Sequence, residues 1–202
     1  MSATPRVVLL DSGGANLGSV QAAFARLGVD APVTADAARI NAATHVVLPG
    51  VGAAASAMAT LRANGLDRLL PRLTQPLIGI CIGMQLLYEY SEEGDTECLG
   101  LLPGRVSRLP ASPGVRVPHM GWNRLESDGS SHPLVEGLGG AWVYFVHGYA
   151  AAADARALAT CTHGAPFAAV VADRNVCGAQ FHPERSSVAG ARLLRNFLAM
   201  SA

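Results

Sequence analysis

Residues 76–87 read Pro76-Leu77-Ile78-Gly79-Ile80-Cys81-Ile82-Gly83-Met84-Gln85-Leu86-Leu87, a short apolar strand running straight into a helix. Cys81 sits at the junction, with Gly79 and Gly83 two residues to either side. A nucleophile at a sharp strand-to-helix turn is held out above the sheet edge, and small flanking residues keep that turn open. The helix, expected to run on to Tyr90, starts with N–H groups aimed at the sulfur, which favours thiolate over thiol. The plainer reading is a buried cysteine at the end of a core strand.

The segments upstream repeat the pattern. Arg6–Leu10 is a β-branched and leucine run, followed by Asp11, the loop Ser12-Gly13-Gly14-Ala15-Asn16, and a helix from about Leu17 to Leu27 with Val20, Phe24 and Leu27 on one face. A second strand falls near Ala31–Thr34. A third, Thr44–Leu48, leads into Pro49-Gly50-Val51-Gly52 and an alanine-rich helix to about Asn64. Apolar strands alternating with helices predict an α/β fold, a three-layer structure whose mostly parallel central sheet carries helices on both faces. Beyond Ser91 the texture changes. Leu99–Leu109, Val115–Val117, Trp142–Ala150, Ala157–Cys161, Phe167–Val171 and Asn175–Phe181 read as short strands that extend the sheet in antiparallel fashion. A closing helix is expected over Val188–Met200. No repeat or long linker divides the 202 residues, so a single domain, 1–202, is expected.

Lysine plus arginine and aspartate plus glutamate number 15 each, which gives no electrostatic case for nucleic acid or an anionic membrane. The opening residues run directly into a strand, so no signal peptide is expected, and no 18-residue apolar run suggests a membrane span. Cys81, Cys98, Cys161 and Cys177 show neither a C-x-x-C spacing nor a zinc framework. No metal and no cofactor are expected, and a reducing cytoplasm fits best.

A cysteine nucleophile needs a base, and the base needs an orienting group. Among six histidines, His182 stands out in Gln180-Phe181-His182-Pro183-Glu184. In an extended segment residues two apart share a face, so Glu184 can accept the second imidazole N–H; Pro183 is expected to keep the backbone extended. An ordinary surface His–Glu pair is the plainer alternative. Gly50-Val51-Gly52 could offer N–H groups to an oxyanion beside the N–H of Ile82, although any lone Gly-x-Gly is more often a simple turn. The Ser12–Asn16 loop lacks both Gly-x-Gly-x-x-Gly and a Walker lysine, which argues against a nucleotide site.

Gly79–Gln85 together with His182-Pro183-Glu184 resembles the class I glutamine amidotransferases, a flavodoxin-like family. Val117-Pro118-His119-Met120-Gly121-Trp122-Asn123, Tyr144-Phe145-Val146-His147, Leu102–Val106 and Asp11–Val20 narrow the resemblance to the glutaminase subunits of imidazole glycerol phosphate synthases. The resemblance implies catalytic roles for Cys81, His182 and Glu184, and an oxyanion site at Gly50, Val51, Gly52 and Ile82. It also implies contacts from Gln85, His147 and Gly148 to the substrate, L-glutamine, and a partner interface that includes Asn16, Trp122, Asn123, Tyr144 and Arg185. The implied partner is a separate (βα)8-barrel cyclase subunit that takes up the ammonia in histidine biosynthesis. Ser12 stands where the family usually has Tyr, Ala15 where it has Gly, Ala53 for Phe, Gly148 for Ser or Thr, and Arg185 for Lys. Competing readings are an amidotransferase subunit of aromatic-acid, folate or vitamin B6 synthesis, a stand-alone γ-glutamyl hydrolase, and a catalytically silent interaction subunit.

Overall fold

The structure, a computed structural model, describes residues 5–13, 16–127 and 129–201. Ala15, one of the departures noted above, and the first four residues, on which the reading of the chain's start rests, lie outside them.

Four strands follow the expected winding: β1 (Val7–Leu10), β2 (Val33–Thr34), β3 (His45–Gly50) and β4 (Leu77–Cys81); β13 (Val176–Ala179), in the Asn175–Phe181 run expected to belong to the antiparallel extension, instead pairs in parallel with β4. Helices α1 (Leu17–Ala25), α2 (Ala37–Ala42), α3 (Ala54–Ala63) and α4 (Leu66–Leu69) intervene. Strands β1, β3 and β4 are buried along their whole lengths, as continuous apolar runs covered on both faces must be. They pair in parallel, Leu48 beside Gly79 and Gly50 beside Cys81, and β13 pairs in parallel on the far side of β4.

The one-turn helix α5 (Ile82–Gln85) follows β4, and the chain then departs from the helix expected up to Tyr90. The carbonyls of Leu86, Leu87 and Tyr88 accept instead from the N–H groups of Leu99, Leu101, Leu102 and Gly100. A tertiary strap thus takes over the carbonyls that a continuing helix would use, and it also accounts for the turns at 99–104, where a strand was expected. Only β7 (Arg105–Arg108) forms in that stretch; it joins β5 (Tyr90–Ser91), β6 (Thr96–Glu97) and β10 (Tyr149–Ala151) in a separate four-stranded sheet.

The antiparallel extension is therefore narrower than expected. β11 (Ala157–His163) and β12 (Ala165–Asp173) add antiparallel to β13, giving the order β11-β12-β13-β4-β3-β1-β2. β8 (His119–Arg124) and β9 (Trp142–His147) form a ribbon of their own. The run read as one strand over Trp142–Ala150 breaks at Gly148 and feeds two different sheets. The strand expected at Val115–Val117 is reduced to a single bridge between Ser112 and Val115. The closing helix α6 (Ser187–Leu198) buries Leu193, Leu194 and Phe197 as its periodicity demands.

Strand alternation turns His119 inward on β8, and it meets His147 and His163 there. Tyr149 O accepts from His147 Nδ1 at 2.9 Å, which leaves His147 Nε2 to accept from His119 Nδ1 at 3.2 Å. His119 Nε2 then accepts from the Asn123 amide at 3.3 Å, and the His163 ring stacks on His119 with centroids 4.0 Å apart. Every proton is placed with both rings neutral. Burial pushes His119 down to about 4 and His147 down to about 3.

The packing makes stability respond to two glycines in opposite ways. A Cβ at Gly83 would lie 1.8 Å from the Leu48 carbonyl oxygen, whereas one at Gly18 in α1 would meet nothing within 4 Å. Gly83→Ala should lower the free energy of urea unfolding by ~2 kcal/mol or more, and Gly18→Ala should raise it by ~0.5–1 kcal/mol. Acid acts through the buried rings. Both histidines bind protons more readily unfolded than folded, so their stabilisation is complete above the unfolded value near 6.5 and is lost as pH falls toward 4 and below. The urea midpoint of His147→Gln should therefore drop less between pH 7.5 and 4.5 than that of the wild type.

Candidate active site

Cys81 occupies the bend between β4 and α5 with φ 55° and ψ −111°, a conformation costly for any residue with a side chain. Its neighbours make the bend possible. A Cβ on Gly79 would fall 2.5 Å from the Gly83 carbonyl oxygen, and one on Gly50 would fall 2.8 Å from the Gly83 nitrogen. The glycines thus let α5 sit directly against β3 and β4. With only one turn, α5 contributes mainly its first free N–H groups, Ile82 included, rather than the dipole of a long helix.

The His182–Glu184 contact forms by a different route from the one expected. His182 is extended, but Pro183–Arg185 is a 3-10 turn with Pro183 at its start. Proline's fixed φ suits the first position of a helical turn, so it opens the turn instead of prolonging the strand. The turn still swings the Glu184 carboxylate onto the imidazole, His182 Nδ1 to Glu184 Oε1 at 2.8 Å, with the side chains 7% and 1% exposed. Burial opposes the imidazolium, but contact with the Cys81 sulfur and the Glu184 carboxylate outweighs it and raises the proton affinity of His182. Burial likewise opposes charge on Glu184, and the His182 contact together with the Asn16 amide outweighs it and holds the carboxyl below its usual range. With Nδ1 committed to Glu184, Nε2 is the nitrogen left to exchange a proton with the sulfur.

A cavity of about 260 Å³ opens beside the sulfur, lined by Val51, Gly52, Cys81, Ile82, Gln85, His147, Gly148 and His182 among others. Nearly all residues expected to touch a reacting amide therefore line one cavity. Gly50 lies next to this cavity, in register with Cys81. Gly52 has φ 97°, a turn natural to glycine. Gln85 is 1% exposed; its Nε2 donates to Tyr149 O at 2.8 Å and Gln180 Oε1 at 3.1 Å, and its own Oε1 has no partner.

The residues expected at a partner interface separate into groups. Trp122 is 51% exposed and meets Tyr144 edge-on across the β8–β9 ribbon, with centroids 5.9 Å apart. Met120 and Trp142, both exposed, extend that face. Asn123, next along β8, points the opposite way, and its amide donates to Thr162 O at 3.0 Å. Arg185 is exposed beside the His182 turn. Asn16 lies against the site itself, donating from Nδ2 to Glu184 Oε1 at 2.6 Å.

Three residues escaped the sequence reading. Glu93 lines the cavity while Glu93 Oε2 accepts from the Ala54 N–H at 2.8 Å. The Ser12 hydroxyl donates to the Pro49 carbonyl at 2.6 Å and fastens the glycine loop from below. Gln180, 0% exposed, lies with Nε2 at 3.9 Å from Cys81 Sγ. Gln180 left a trace in the sequence as a polar residue in an otherwise apolar strand end; the contacts of Glu93 and Ser12 span 39 and 37 residues, out of reach of any local pattern.

The geometry agrees with comparisons to known proteins. The family model described as "Glutamine amidotransferase class-I" matches residues 8–200. The chain is 58% identical over 196 residues to the imidazole glycerol phosphate synthase subunit HisH of Xylella fastidiosa (97% of this chain, 98% of that one). It is 59% identical over 195 residues to the subunit of the same name in Xanthomonas euvesicatoria pv. vesicatoria (96% of this chain, 98% of that one). Among solved structures, a glutamine amidotransferase matches with TM-score 0.74 at 22% identity over 95% of this chain and 97% of its own. A chain of PurLQS from Thermotoga maritima matches with TM-score 0.69 at 20% identity over 97% and 98%. These last two establish a shared fold. The chain belongs to the class-I glutamine amidotransferase family, in the branch of the imidazole glycerol phosphate synthase subunits HisH.

Proposed function

We infer that this chain hydrolyses L-glutamine to glutamate and ammonia, and hands the ammonia to a (βα)8-barrel cyclase subunit that makes imidazole glycerol phosphate and aminoimidazole carboxamide ribonucleotide in histidine biosynthesis. The observation that carries the reading is the buried Cys81–His182–Glu184 set at the mouth of a cavity walled by Val51, Gly52 and Ile82.

In this reading Cys81 is the nucleophile. The thiol proton passes to His182, and the sulfur attacks the side-chain amide carbon of glutamine. In this reading the amide oxygen takes up the negative charge and is met by N–H groups of the Gly50–Gly52 loop and of Ile82. His182 returns its proton to the amide nitrogen, the C–N bond breaks and ammonia leaves. A γ-glutamyl thioester remains. Water, deprotonated by His182, then attacks the thioester; glutamate departs and the sulfur recovers its proton. Glu184 keeps the imidazole in register throughout, and Asn16 steadies Glu184. The α-ammonium of glutamine suits the carboxylate of Glu93, which lines the cavity. His147 and Gly148 also line the cavity.

The exposed Met120, Trp122, Tyr144 and Trp142 face supports a docking surface for the cyclase, since aromatic groups of this kind anchor interfaces. Arg185 adds a forked cation near it. Asn123, turned inward, serves that surface by bracing the ribbon. The same reading treats the chain as a single domain working in the cytoplasm, in keeping with four unpaired cysteines. Among the described residues no helix is long and apolar enough to cross a membrane.

Cys81→Ala, assayed with the cyclase and its nucleotide, should abolish glutamine-dependent synthesis and leave ammonia-dependent synthesis intact; loss of both, or of neither, would refute the nucleophile assignment. Glu93→Gln should raise KM for glutamine about tenfold or more with a smaller effect on kcat, as loss of a charged contact made equally to substrate and transition state predicts. An unchanged KM would place the ammonium elsewhere.

A further inference from the structure

Two buried amides join the cavity wall to the sulfur of Cys81, and their orientation is determined. The chain of contacts begins at the Tyr149 carbonyl, which can only accept. Gln85 Nε2 donates to it at 2.8 Å and donates its second proton to Gln180 Oε1 at 3.1 Å. With both protons spent, Gln85 has one allowed orientation, and its buried Oε1 is left without a protein donor. Gln180 is fixed in turn. Its oxygen is engaged by Gln85, so its N–H group is the end directed at Cys81 Sγ, 3.9 Å away.

The other neutral group at the sulfur works in the opposite sense. The Val146 carbonyl oxygen lies 3.8 Å from Sγ, where it accepts the thiol proton and gives nothing to a thiolate. Once that proton moves to His182, a carbonyl dipole faces a negative sulfur. A donor on the other side offsets it, and N–H contacts to a charged acceptor are shorter and stronger than those to a neutral one. The titratable groups around this sulfur are His182 from the turn after β13 with Glu184 behind it, His147 at the end of β9, and Glu93 across the cavity.

We propose that Gln180 supplies the N–H that stabilises the Cys81 thiolate, and that the contact from Tyr149 O through Gln85 keeps this amide the right way round. The proposal rests on Cys81 being the nucleophile of the proposed glutaminase. It assigns Gln85 a second duty, fixing a donor at an atom that it does not touch.

The test is alkylation of the full-length chain by iodoacetamide from pH 5 to 9.5, alone and with its cyclase partner, read by mass spectrometry on the peptide containing Cys81. Gln180→Met keeps the approximate volume and removes the donor. Its profile should move about one pH unit to the alkaline side, making Cys81 about tenfold less reactive near neutrality. Gln180→Glu, the same shape with a carboxylate in place of the amide donor, should move it further. Gln85→Met, remote from the sulfur, should move it in the same direction, because the Gln180 amide is then free to turn over. Profiles that superimpose on the wild type in the folded Gln180 variants would overturn the proposal, even if KM for glutamine rises, and would leave Gln180 a packing role. If neither Gln180 variant folds, the Gln85→Met profile decides between the same two outcomes. Alkylation reports on the thiol whether or not glutamine is turned over, so it is separable from the Cys81→Ala test of the glutaminase reading.

Discussion

The close approach of Gly83 to the Leu48 carbonyl sets the position of everything else in the site. It draws α5 down onto β3, and the chain can then pass from β4 into a helical turn only through a left-handed residue at Cys81. The strain of that residue is held by a bend whose flanking strands are buried throughout. The same bend puts the sulfur, the Ile82 N–H and the Gly50–Gly52 loop at one end of the sheet. In open α/β sheets that end, beyond the carboxyl termini of the parallel strands, is where neighbouring turns converge on a ligand.

Electrostatics build on that frame by opposing burial with specific partners. The imidazole of His182 and the carboxylate of Glu184 each lose solvation, yet each holds its charge more firmly than it would in water, His182 through the Cys81 sulfur and Glu184, and Glu184 through His182 and Asn16. His119 and His147 show the converse. They have neutral partners and no carboxylate in contact, so burial prevails and they stay uncharged. The two histidine groups come near each other around a single cavity. Only the group with an acidic partner is equipped to carry a proton for the chemistry.

Much of this was legible in the sequence wherever chemistry is local. Glycines two residues either side of Cys81, continuous apolar strands, and a glutamate two residues beyond His182 are short-range signals, and the parallel core and the Cys–His–Glu set followed from them. What escaped depended on contacts across long loops. The helix after Cys81 stops at Gln85 because residues 99–102 take the carbonyls of residues 86–88 that would carry it on. Pro183 reads as a residue that keeps a strand extended, although its φ serves equally well to open a turn. Resemblance puts Asn16 at a partner surface, and the structure sets it on Glu184, 168 residues away. Trp122 and Asn123, adjacent in sequence and grouped together by resemblance, part company because a strand sends neighbours to opposite faces.

Cys81 carries the glutamyl group, in the proposed reaction, between the loss of ammonia and the arrival of water. The most direct measurement is rapid acid quench of the chain turning over glutamine with its cyclase partner, followed by mass spectrometry of the proteolytic peptides. A γ-glutamyl adduct is expected on the peptide holding Cys81, disappearing when glutamine is exhausted. An adduct on Cys98, Cys161 or Cys177, or full turnover by a chain in which Cys81 is alkylated, would contradict that role.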